Sequence, residues 1–103
     1  MSKRTNQEIK RLRTIGHKLK PVVTIAGNGL TETVIAELDR ALNDHELIKV
    51  KLSLGSREAR AETTQEVCKQ TGADIVQSIG NVILIVRRTA KPDPRLSNLI
   101  RRV

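Results

Sequence analysis

The stretch DIVQSIGNVILIVRR, residues 74–88, limits the fold more than any other part of the chain. Two apolar runs flank Gly80-Asn81, a dipeptide suited to the primed turns of two-residue hairpins. In the second run, Val82 to Val86, every side chain is apolar, so neither face of that strand can meet water. Such a strand belongs in the middle of a sheet covered on both faces, and the rest of the chain has to provide the cover.

The other segments are patterned to do so. IKVKLSL alternates without a slip, setting Ile48, Val50, Leu52 and Leu54 on one face and Lys49, Lys51 and Ser53 on the other. It predicts a strand with one covered and one wetter face. PVVTIA, residues 21–26, predicts a short strand with Pro21 at its first position, where a missing N–H does least harm. Three helices fill the gaps. In the first, TNQE is a capping box: Thr5 accepts from an amide of the first turn and Glu8 reaches back to the cap. That helix spans about residues 6–16, with Ile9, Leu12 and Leu19 on one stripe and Gly16 between them. Thr31 caps the second, whose Val34, Ile35, Leu38, Ala41 and Leu42 have amphipathic spacing and which ends near Asp44. Ser56 caps the third and Gly72 ends it; its inward positions Ala59, Thr63, Val67 and Cys68 are small and predict close packing.

The order αβαβαββ predicts an α/β fold, a four-stranded mixed sheet with packed helices. Its alternating strands and helices call for right-handed crossovers and its closing hairpin for an antiparallel pair. One domain is expected over residues 1–88, followed by a basic, flexible C-terminal tail over 89–103.

The net charge of +8 is unevenly spread. Residues 1–20 carry +6, residues 21–86 carry −3 and residues 87–103 carry +5. Two basic ends on a mildly acidic middle point to a polyanion, nucleic acid ahead of an anionic membrane. The chain has no Phe, Trp or Tyr, so the base stacking common in single-strand binders is not open to it. Contacts to phosphates, sugars and shape are expected instead. The first helix offers them: Arg4, Arg11 and Lys18 recur every seven residues, with Lys10, Arg13 and Lys20 alongside. A solvated helix face usually mixes signs, and this one scarcely does. Lys49 and Lys51 either extend that surface or protect a strand edge, and Arg87 and Arg88 close the last strand.

AGNGLTETV, residues 26–34, places a glycine loop before a helix, the usual setting for a held phosphate. It is not a dinucleotide loop. The third glycine of G-x-G-x-x-G is Glu32, which would repel a close pyrophosphate, and no Walker pattern is present. Two histidines and one cysteine far apart make no metal site, and no cofactor is expected. Cys68 reads as a small buried thiol rather than a nucleophile. His45 reads as a helix-end contact, and His17 as either a phosphate contact or a solvated cap. No acid/base pair stands out, so no enzyme activity is expected. A lone cysteine, no 18-residue apolar run and an N-terminus unlike a signal peptide make the cytoplasm the expected compartment.

LKPVVTIAGNGLTETVIAEL, HELIKVKL and TGADIVQSIGNVILIVRR together resemble the CRM domain (chloroplast RNA splicing and ribosome maturation) in its bacterial stand-alone YhbY-type form. The resemblance implies a fold similar to the C-terminal domain of translation initiation factor three. It also implies RNA binding without catalysis, here to ribosomal RNA or pre-ribosomal particles of the large subunit, by a monomer. The family's G-x-x-G loop falls on Ala26, Gly27, Asn28 and Gly29, with Ala26 in place of the first glycine and Gly27 expected to carry the backbone path. An aromatic common before the arginine of the last strand is replaced by Val86. The expected RNA-binding set is therefore Arg4, Lys10, Arg11, Arg13, Lys18, Lys20, Gly27, Asn28, Gly29, Lys49, Lys51, Arg87 and Arg88. The alternatives are a DNA-binding architectural protein and a small nucleotide-binding regulator or enzyme.

Overall fold

The computed structural model describes residues 5–99. Thr5 caps α1 (Asn6–His17), its hydroxyl accepting from the Glu8 amide at 3.1 Å. β1 (Pro21–Ile25) leads through the glycine loop to α2 (Glu32–His45), capped by Thr31 through the Val34 amide. β2 (Leu47–Leu52) is followed by α3 (Arg57–Thr71), which Ser56 caps and left-handed Gly72 ends. β3 (Asp74–Ile79) and β4 (Val82–Val86) close the chain as a hairpin. Gly80 has φ 56° and Asn81 does not share the left-handed region, which matches the second of the two primed turns.

The sheet order is β1-β2-β4-β3. β1 runs parallel to β2, while β4 is antiparallel to both of its neighbours. Central β4 is buried from Ile83 to Val86, as its unbroken apolar run requires. The two faces hold separate cores. On one, α2 and α3 bring Leu38, Leu42 and Val67 onto Val23, Ile25, Ile48, Val50, Leu52, Ile83 and Ile85. On the other, α1 brings Leu12 onto Leu47, Val76, Leu84 and Val86. β2 alternates as expected, except that Leu47 starts it on the α1 side and Leu54 lies past its end, packed on the first core. In α3 the fully inward positions are Val67 and Thr71; Ala59, Thr63 and Cys68 are half-buried.

Gly16 explains how α1 sits so low. A Cβ there would fall inside van der Waals contact of both Leu84 methyls, the farther at 2.8 Å. The helix therefore packs its backbone closely over the Leu84 side chain of β4, and a Cβ at position 16 would force that side chain to shift.

Residues 89–99 lie against the domain, where the sequence suggests a loose tail. The Glu46 carboxylate accepts from the Thr89 amide at 2.8 Å and from the Ser97 hydroxyl at 2.7 Å. The Asn98 amide donates to the His45 carbonyl at 2.9 Å, and its side chain donates to the Leu47 carbonyl at 2.6 Å. Leu99 then completes the core beneath α1. The composition of this segment, with Pro92 and Pro94 among polar residues, carries no sign of these anchors, because their acceptors lie some fifty residues upstream.

Candidate nucleic-acid interface

The glycine loop is a tight turn in which the Gly29 amide donates to the Ala26 carbonyl at 2.9 Å. Only Gly29, the fourth residue, takes a left-handed conformation, at φ 71°. Ala26 and Gly27 do not, so alanine fits the first position without strain, and the backbone path rests on Gly29 rather than on Gly27. A Cβ at position 27 or 29 would meet nothing within 4 Å, so the loop's outer side is open. Gly29→Ala is expected to lower stability by about 1 kcal/mol through its φ alone. Gly27→Ala should be neutral or slightly stabilising. Urea denaturation of the two variants checks the difference.

The open loop adjoins a row of cations. Thr24 pairs with Lys51 and Ile25 with Leu52, so Lys51 sits beside the point where β1 enters the loop. Lys49 lies two residues back on the same face, paired with Pro21. Lys20, exposed just before β1, lines a common cleft with Lys49. Lys18 is exposed at the C-cap of α1, and Lys10 and Arg13 are exposed along that helix. These lysines thus extend the α1 surface onto the sheet, and Lys49, central on β2 rather than at an edge, has no edge to protect. Such a surface can neutralise a series of phosphates, with the open backbone of the glycine loop at one end.

Two other members of the expected set, Arg87 and Arg11, hold partners within the protein. Arg87 is a structural pin. Its guanidinium donates to the Asp39 carboxylate at 2.8 Å, the Thr71 carbonyl at 2.7 Å, the Asp39 carbonyl at 3.1 Å and the Asn43 side chain at 3.0 Å. It also follows Val86, which pairs with Leu47 at the start of β2, whereas the loop lies beyond Leu52 at the other end. Strand rise puts about 17 Å between those ends. Arg88 is exposed at the same far end as Arg87. Arg11 donates to the Leu99 carbonyl at 3.2 Å, which ties it to the docked segment. Arg4 falls outside the described residues.

The remaining titratable groups have structural surroundings. The His45 ring donates from Nδ1 to the Leu96 carbonyl at 2.9 Å, the only role a carbonyl partner allows. Burial, and then the charge of Asp74, push the Cys68 thiol up, which keeps it protonated and a poor nucleophile. Among the described residues, no three His, Cys, Asp or Glu side chains gather as a metal site would need.

Residues 5–87 match the family model of the CRS1/YhbY (CRM) domain. A protein of Pseudomonas aeruginosa named a probable RNA-binding protein is 54% identical over 97 residues, covering 94% of this chain and 93% of that one. A Haemophilus influenzae protein named an RNA-binding protein is 45% identical over 76 residues, 74% of this chain and 77% of that one. The solution structure of a hypothetical Staphylococcus aureus protein, described as a candidate RNA-binding protein, has a TM-score of 0.73 at 29% identity over 84% of this chain and 91% of that one.

Proposed function

The chain belongs to the CRS1/YhbY (CRM) domain family, and from that premise we propose that it binds RNA through the α1 surface, the lysines of β2 and the glycine loop. The observation that carries this reading is the row Lys20, Lys49 and Lys51 leading to the open Gly27–Gly29 turn. We further propose that the RNA is ribosomal RNA of large-subunit precursors. In this reading the protein acts in the cytoplasm as a monomeric assembly factor, by binding and without a chemical step. The names of its relatives support RNA as the ligand, and its lack of aromatic rings favours contacts to backbone and shape over stacked single strands.

Affinity for a large-subunit RNA fragment should fall steeply with salt, with a logarithmic slope of about 0.7–0.9 per phosphate neutralised. Replacing Lys20 and Lys51 by alanine is expected to reduce that slope by between one and two and to weaken binding about tenfold at moderate salt. Fluorescence anisotropy across a salt series measures both. A salt-independent interaction would sink the mechanism. Duplex DNA competing as well as RNA would favour an architectural DNA-binding protein, although the chain has none of the aromatic wedges such proteins often insert. Co-sedimentation with large-subunit precursors in cell extracts tests the assembly role; absence from those fractions would remove it.

A further inference from the structure

The α1 side of the sheet is only partly covered. Beyond the contact of Gly16 with Leu84, a cleft of about 230 Å³ opens across all four strands, lined by Pro21, Lys49, Gln77, Ile79, Val82 and Leu84. The pairing registers order this surface into two rows. One reads Pro21, Lys49, Leu84, Gln77 and the other Thr24, Lys51, Val82, Ile79. Cross-strand partners share a face, strands are about 4.8 Å apart and the rows about 7 Å apart. Cations therefore stand on the β2 side, aliphatic side chains beside them on β4 and β3, and one amide at the rim. Ile79 is 63% exposed, an unusual amount for a large apolar side chain on a sheet face.

Phosphates alone would need the lysines and leave the apolar half unused. A cofactor would need more room, since cofactor pockets run to roughly 300–1,000 Å³. A nucleotide joins an anion to a flat, weakly polar ring through one sugar, and the rows present a cation and an aliphatic surface one strand apart. Bases drawn out of a stack do lie against apolar as well as aromatic side chains.

We propose that this half-open sheet face holds one unpaired nucleotide of the bound RNA. Its base lies on Val82 and Ile79, its flanking phosphates meet Lys49 and Lys51, and the Gln77 amide meets the edge of the base. The inference rests on RNA binding and adds what that reading leaves open: the preferred RNA is a helix interrupted by a bulged or looped nucleotide, not a continuous duplex.

The test uses the full chain and two hairpin RNAs that differ only by one bulged nucleotide. The native protein should prefer the bulged RNA by about tenfold, the order of gain from covering an exposed aliphatic side chain. Gln77→Ala with Ile79→Ala should abolish the preference while keeping the affinity for the continuous stem and the melting temperature. If that pair melts early, Ile79→Ser alone carries the same comparison. Equal affinity of the native protein for both RNAs would overturn the inference and leave the cleft to a protein partner, with RNA binding itself intact. A preference that survives the substitutions would also overturn it, by putting the base elsewhere. Binding to neither RNA would overturn the RNA-binding reading and this inference with it.

Discussion

Arg87→Ala is expected to lower unfolding free energy by roughly 2–3 kcal/mol. Arg87 follows central β4, and its guanidinium joins α2, through Asp39 and Asn43, to the last turn of α3 at the Thr71 carbonyl. The ion pair itself contributes little, because the Asp39 side chain is 45% exposed and water screens it. The cost comes from two main-chain carbonyls that lose a charged donor, one of them at a helix C-terminus where a cation also meets the dipole. Arg87→Lys keeps the charge but not the planar fork, so it should recover less than half of the loss. For a chain of this size the alanine variant should melt about 10 °C lower. The same substitution separates structure from binding. At temperatures where both proteins are folded, Arg87→Lys should hold RNA affinity within about twofold of the native protein. A tenfold loss of affinity with unchanged melting would return Arg87 to the binding surface.

The sequence made the architecture legible because each element carries its own local signature. The apolar run of β4, the alternation of β2 and the caps Thr5, Thr31 and Ser56 all depend on residues within one turn or one strand, and each is found where its pattern places it. The cationic character of α1 was equally plain. What local pattern does not carry is the use to which a charge is put. Arg87 and Lys51 look alike in sequence, yet one is bound to partners 16 and 48 residues away while the other is exposed beside the glycine loop. The two-row surface of the sheet was hidden for the same reason. It exists only once Pro21, Lys49, Leu84 and Gln77 are brought into line by pairing, and a one-residue change of register would scatter it between two faces. One signal was available: Gln77 and Ser78 make β3 more polar than the β4 run it pairs with, as an edge strand with an open face should be.

Separating the cations by task sharpens what the net charge of +8 means. Arg87 and Arg11 are held by partners within the protein, so removing either changes the fold or its docked segment before it changes any ligand. Lys18, Lys20, Lys49 and Lys51 are the cations whose loss should be felt by a polyanion first.

Glu46→Ala is expected to release residues 89–99 and to lower stability by about 3 kcal/mol. Glu46 is only 3% exposed, and both carboxylate oxygens are taken by the segment, one by Thr89 and one by Ser97. Alanine leaves both donors unpaired and opens a gap beside Ser97, which is fully buried. Glu46 also has φ 62°, and is the only non-glycine with positive φ among the described residues. That conformation costs roughly 1–2 kcal/mol for any residue with a Cβ, and it is held by the Glu46 amide on Leu42 and by the Arg87 amide on the Glu46 carbonyl. The two contributions separate by substitution. Glu46→Gly removes the backbone cost but not the clamp, so it should be about 1 kcal/mol less damaging than alanine while releasing the segment equally. Glu46→Gln keeps one acceptor and turns the other into a donor facing a donor, so it should fall between the native protein and alanine. Hydrogen exchange reads the release directly: the Asn98 and Leu99 amides should lose protection in both the alanine and glycine variants, while the Leu38 and Leu42 amides of α2 keep theirs. Protected Asn98 and Leu99 in Glu46→Ala would mean that burial of Leu99 against Leu12 and Leu47, rather than the carboxylate, holds the segment in place.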